Sequence, residues 1–95
     1  MNQYEVMYVI DTALEEQART DLINRFSGLV EANGGQVDRV DEWGKRRLAY
    51  AINYKTEGYY VLMTFVSGPA FPRELDRKLR IAEGVMRSLI VCKGE

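Results

Sequence analysis

Tyr59–Val66, YYVLMTFV, decides how this chain folds, because both of its alternating faces are apolar. Tyr59, Val61, Met63 and Phe65 fall on one side, and Tyr60, Leu62, Thr64 and Val66 on the other. A strand of this kind has something packed on each side, so it reads as a central strand. Downstream, Ser67-Gly68-Pro69 breaks it, and Pro72 is tolerated only in a first helical turn, which starts a helix at about Ala70 to Pro72. Phe71, Leu75, Leu79 and Ala82 form the apolar stripe of that helix, and Arg73, Arg77, Lys78 and Arg80 lie outside it. Gly84 closes the helix, and Val85 to Cys92 follows as a last strand.

Upstream, Asn53 to Gly58 reads as a turn. Before it, Leu48, Tyr50 and Ile52 alternate, and Val37 and Val40 stand among charges, which gives one long strand from about Gln36, bent where Gly44 follows Trp43. Asn33-Gly34-Gly35 ends an earlier helix, because glycine accepts the left-handed backbone that closes a last turn. Leu14, Ala18, Leu22, Phe26 and Leu29 or Val30 give that helix its stripe, and Thr12 with Glu15 has the spacing of a capping box. Tyr4 to Ile10, with Tyr4, Val6, Tyr8 and Ile10 alternating against Glu5, Met7 and Val9, is the first strand. The order strand, helix, strand, strand, helix, strand describes an α+β, ferredoxin-like βαββαβ sandwich: a four-stranded antiparallel sheet with two helices on one face. With 95 residues, of which 46% are hydrophobic, a single domain over residues 1–95 has enough for one core and no room for a second.

Composition removes several functions. With no histidine and one cysteine, no ordinary zinc or iron-sulfur ligand set can be assembled, no general base titrates near neutrality, and Cys92 reads as a small core residue. Glu15-Glu16 and Asp41-Glu42 are explained by helix start and solvation, and no phosphate-cradling glycine loop follows any strand. Enzymes of the acylphosphatase type share this topology but place an arginine-bearing glycine loop after the first strand, where this chain has Asp11-Thr12. Neither a cofactor nor a metal is expected, and no enzyme. Apolar runs fall far short of the roughly 20 residues that cross a bilayer, and Tyr4 to Ile10 follows no basic leader, so the chain reads as cytoplasmic without membrane association.

Two features ask for a partner. If Val6, Tyr8 and Ile10 face the helices, Met7 and Val9 face away from them, beside Tyr60 and Leu62. An apolar open sheet face is a contact surface, or is covered by loops or by a second copy. The other feature is charge. Residues 1–42 hold nine acids and three bases (−6), whereas residues 43–95 hold ten bases and five acids (+5). Lys45, Arg46 and Arg47 stand together with no carboxylate in the next three residues, so they suit phosphate docking, or else guard a solvated edge strand against unwanted pairing.

Gly44-Lys45-Arg46-Arg47-Leu48-Ala49-Tyr50, with Ile52-Asn53, resembles the signature of the S-six family of bacterial small-subunit ribosomal proteins, with one extra basic residue before the leucine. The likeness continues in Tyr4-Glu5-Val6, Glu31 to Gly35, Gly58 to Met63, Leu79-Arg80-Ile81, Val85 and Arg87, so it spans nearly the whole chain. The resemblance implies a protein of the 30S subunit platform that binds 16S rRNA together with the S-eighteen ribosomal protein, as a heterodimer. By analogy Met7, Val9, Tyr60, Leu62, Leu89 and Val91 would meet the protein partner. Lys45, Arg46, Arg47 and Arg87 would approach RNA phosphates, with Tyr4 and Trp43 as packing or stacking contacts. Ala51 stands where many relatives have proline, and the chain ends at Glu95 without the acidic tail some members carry. The fold is also similar to the RNA-recognition module, but Met7 and Val9 occupy the strand positions where that module stacks bases on aromatics. A competing expectation is a small regulatory ligand-binding domain of the same topology, paired through its sheet, with a polar pocket near Asp11-Thr12; the ribosomal reading expects no small-molecule substrate.

Overall fold

The computed structural model describes residues 1–52 and 54–94. Its elements are β1 (Asn2–Ile10), α1 (Glu16–Ala32), β2 (Gln36–Ile52), β3 (Lys55–Ser67), α2 (Phe71–Ile81) and β4 (Val85–Gly94). The four strands form one antiparallel sheet, as expected, and their order is β2-β3-β1-β4. YYVLMTFV thus runs through an interior strand, and β1 is its other interior neighbour.

The face of the sheet under the helices is closed. Val6, Tyr8 and Ile10 of β1 and Val61, Met63 and Phe65 of β3 are fully buried, with Phe26 and Val30 of α1 and Leu75 and Leu79 of α2 packed over them. Phe65 anchors one end: Tyr4 stacks on its ring at 5.6 Å between centroids, and Phe71 meets it edge-on at 5.9 Å. Each such side chain contributes roughly 1.5–3 kcal/mol by leaving water.

Four local expectations change. The capping box does not form: α1 begins at Glu16, with Glu15 as an extended N-cap that makes no side-chain hydrogen bond. Residues 11–14 instead make a turn in which the Asp11 carboxylate accepts from the Ala13 N–H at 2.9 Å and the Asp11 carbonyl from the Leu14 N–H. The helix thus starts three residues later than a Thr12 cap would start it; within it Ala18 is exposed and Ile23 joins the core. The turn expected over Asn53 to Gly58 is much tighter, because Lys55 already pairs with Ile52 and Tyr54 takes a left-handed φ of 65°; Asn53 lies outside the described residues. Cys92 is exposed and not a core residue, since it sits on the edge strand β4 beside a register shift at Gln3 and Tyr4.

β2 is bent as expected. Its register with β3 slips between Glu42 and Gly44, so Trp43 is the extra residue of a bulge, and Gly44 holds a φ of 84° that a β-carbon would strain. Beyond the bend, β2 and the start of β3 continue as a two-stranded arm.

Candidate functional site

The sheet's second face can be read rung by rung from the pairing. Asp41, Leu62, Met7 and Leu89 share one rung, and Arg39, Thr64, Glu5 and Val91 the next. Leu89 is 64% exposed and Val91 47%, and Met7, Tyr60 and Leu62 keep part of their surface in solvent. Charges rim this band: Arg39 pairs with Asp41 at 2.9 Å, and Lys93 lies 3.7 Å from Glu5.

Val9 departs from this pattern. It points to the same face but is only 3% exposed, because the arm folds over it. Gly58 lies directly against Val9, so closely that a β-carbon there would collide with the Val9 Cγ1 and also touch Leu48, which is itself buried. Val9 is therefore withdrawn from any partner surface: the chain's own Leu48 has taken its place as cover. The sequence signal was present, since Leu48 opens the alternating run and a glycine stands at position 58, but nothing local says how far the arm curls.

The arm carries the cations. Lys45, Arg46 and Arg47 are all exposed. Arg46 donates from Nε to the Trp43 carbonyl at 3.4 Å and places its guanidinium 5.8 Å from the centre of the Trp43 ring, which is 44% exposed. Arg47 stands opposite Glu57 in the strand register of the arm, a carboxylate that sequence distance hid. Arg87 comes from β4, on the rung of Gly44, Tyr60 and Val9, and its guanidinium lies 5.4 Å from the Tyr50 ring centre. The structure thus joins Arg87 to the arm. It removes Tyr4, whose ring is 7% exposed and already stacked on Phe65, so no face of it is left for a base.

A second set of polar groups was not anticipated. Where α1 passes over the edge of the sheet, the Arg19 guanidinium lies 4.1 Å over the Tyr59 ring, and the Tyr59 hydroxyl donates to Glu42 at 2.8 Å. Burial, then the hydrogen bond to Glu42 and its charge, raise the Tyr59 hydroxyl above the usual phenol range, against the pull of Arg19. Tyr8, deeper in the core, is raised further by burial and secondarily by the Glu42 charge. This cluster ties α1 to the base of the arm. Asp11, the group a small-ligand pocket would need, is occupied by the Ala13 N–H and by Lys55, 3.7 Å away.

On the opposite side, α1 and α2 diverge over a shallow groove of about 760 Å³, lined by Leu14, Leu22, Phe26, Leu29 and Ile81 with Arg25 and Lys78 at its margin. Among the described residues no cluster of His, Cys, Asp or Glu could hold a metal ion, and no helix is long and apolar enough to cross a membrane.

Comparison with known proteins agrees with this architecture. The profile of the family described as Ribosomal protein S6 matches residues 3–92. A small ribosomal subunit protein bS6 from Caldanaerobacter subterraneus is 53% identical over 91 residues, 96% of each chain. One from Thermoanaerobacter pseudethanolicus is 50% identical over 95 residues, the whole of both. Among solved structures, the crystal structure of 30S ribosomal protein S6 from Thermotoga maritima superposes with a TM-score of 0.92 at 27% identity, covering 97% of this chain and 87% of that one. The chain belongs to the ribosomal protein S6 family, a family of structural proteins and not of enzymes.

Proposed function

We propose that the chain is a component of the small ribosomal subunit, in the cytoplasm, that binds 16S rRNA on the subunit platform together with the S-eighteen ribosomal protein as a heterodimer. The observation that carries this reading is the unequal treatment of the sheet: one face is sealed by two helices, while Met7, Tyr60, Leu62, Leu89 and Val91 stand uncovered on the other. These five are the protein-facing residues of the proposal. Lys45, Arg46, Arg47 and Arg87 are its phosphate-facing residues, and Trp43 an exposed ring among them.

Magnitudes support a need for a partner. Four cations that each neutralise one phosphate give a salt slope of only about −3 to −4. Nine acids in the first 42 residues oppose an RNA polyanion, so the lone chain binds RNA weakly. Phosphate contacts also carry little sequence information, which leaves specificity to RNA shape and to contacts made by the second protein.

The test is capture of the S-eighteen protein by the purified chain, with and without a platform rRNA fragment. The expected result is a one-to-one complex that binds the fragment more tightly than either protein alone. Failure to capture the S-eighteen protein in both conditions overturns the heterodimer. A stable homodimer whose melting temperature rises with amino acids or nucleotides would favour a ligand-binding domain instead.

A further inference from the structure

Tyr50 and Arg87 are 37 positions apart in sequence and meet because the arm curls across the sheet's second face. The contact has an anchor and a free part. Leu48, two residues earlier on the same side of β2, is buried over Val9 and Gly58 and fixes the arm's position. Tyr50, held by that anchor, nevertheless keeps 61% of its surface in solvent with a guanidinium 5.4 Å from its ring centre. An exposed aromatic ring beside a cation is poorly explained as packing, since most of its area stays wet.

We propose that Tyr50 and Arg87 form a clamp for an unpaired RNA nucleotide, the base stacking on Tyr50 and the neighbouring phosphate meeting Arg87. The inference rests on the RNA-binding reading above and specifies which part of an RNA this corner takes. Base faces are hidden inside a paired A-form stem, so an exposed tyrosine ring can be used only by a base that is splayed out in a loop, bulge or end. Base stacking on aromatic rings with arginine beside them is the usual mode of single-strand binding. The guanidinium has donors enough to remain on the ring and still hydrogen-bond a phosphate. Lys45 and Arg46, exposed earlier on the same strand, add positive charge to the arm, which favours a nucleic acid over a protein side chain as the occupant. On the open band of the sheet Tyr60 is flanked by the non-aromatic Met7 and Leu62 and is less exposed than Tyr50.

The experiment uses the full chain at low salt with two labelled probes, single-stranded oligoadenylate and a blunt, fully paired RNA hairpin, and compares the wild type with Tyr50→Leu, Tyr50→Phe and the Lys45→Gln/Arg46→Gln/Arg47→Gln triple variant. Tyr50→Leu is expected to weaken oligoadenylate binding about tenfold while hairpin binding changes little, and Tyr50→Phe to retain the wild-type preference. Trp43, the sole tryptophan, gives an independent fluorescence readout of binding to the same arm. If the triple variant loses both RNAs and Tyr50→Leu loses neither, the clamp is wrong and RNA binding by the arm stands. If the wild type binds neither probe, the clamp falls, while the RNA-binding reading is decided by the S-eighteen capture with the platform rRNA fragment. A Tyr50→Leu chain that loses both RNAs equally, or melts at a clearly lower temperature, makes Tyr50 a structural strap and overturns the clamp. Loss of S-eighteen capture without any change in RNA binding also overturns it, in favour of a protein occupant.

Discussion

Along β3, Val61, Met63 and Phe65 are fully buried beneath the helices, whereas Tyr60 and Leu62, one residue out of step with them, keep part of their surface in solvent. The two faces of the strand carry similar apolar side chains and differ in what covers them. On the helix side the covering comes from the same chain, so burial there contributes to folding. On the other side the chain covers only one corner, with Leu48 over Val9, and leaves the rest to association. Hydrophobicity therefore identifies both faces as surfaces to be covered, and only topology says which of them folding has used.

That contrast can be broken by substitution. Phe65→Ala, on the covered face, removes the partner of both Tyr4 and Phe71 and is expected to cost about 3–5 kcal/mol in denaturant unfolding. Leu62→Asp, on the open face, is expected to leave the melting temperature nearly unchanged and to abolish capture of the S-eighteen protein, an affinity loss of about 2 kcal/mol or more. Full partner affinity in a folded Leu62→Asp chain would remove the sheet face from the proposal. Replacing Lys45, Arg46 and Arg47 with glutamine is expected to lower rRNA affinity about tenfold and to make the salt slope shallower by about 3, with melting unaffected. Unaltered affinity would clear that run of any phosphate contact.

Two smaller effects sharpen the comparison at its boundary. Gly58→Ala forces a methyl group against Val9 and Leu48 and is expected to cost about 1–2 kcal/mol, because a β-branched buried valine has little room to give. A neutral outcome would mean that the arm lies more loosely on the sheet than its packing indicates. Tyr8→Phe concerns pH. Burial first, and the Glu42 charge second, raise the Tyr8 hydroxyl above the usual phenol value of 10.0. Below that value the folded and unfolded chains are both protonated at this site and stability is flat. As pH rises past it, the unfolded chain releases its proton first, so the folded state loses stability. The phenylalanine variant is expected to change stability at neutral pH by less than about 1 kcal/mol and to flatten the alkaline decline, read from melting temperatures between neutral and strongly alkaline buffer.

Much of the fold is legible in residue order. YYVLMTFV announces an interior strand, Gly44 the bend, Pro72 the start of α2, and Gly84 its end, because each rests on a backbone constraint that tertiary packing seldom overrides. The capping box failed because Asp11 competes for the same turn: its carboxylate reaches the Ala13 N–H before Thr12 can cap a helix. Cys92 failed because an apolar run does not reveal whether its strand lies at an edge. Site residues divided on the same principle. Leu62 follows from period-two alternation, so its outward direction was readable, whereas the alternation of Leu89 and Val91 with Ser88 and Cys92 leaves open which face of the last strand is buried. Val9 and Tyr4 share the period-two pattern, yet the cover over Val9 depends on the arm's curl and the burial of Tyr4 on the position of Phe65. The Tyr50–Arg87 and Arg19–Tyr59–Glu42 contacts join segments remote in sequence, and no local pattern marks them.

The position of β1 between β3 and β4 has one more consequence. β1 can be paired on both sides only after residues 85–94 have been synthesised, so a nascent chain holds this interior strand half-finished until β4 emerges. Closure of the sheet is then a late, long-range event, dominated by loop-closure entropy, and slow compared with the formation of either helix. Throughout that interval the unpaired edge of β1 is the place where a growing chain is most exposed to pairing with the wrong strand.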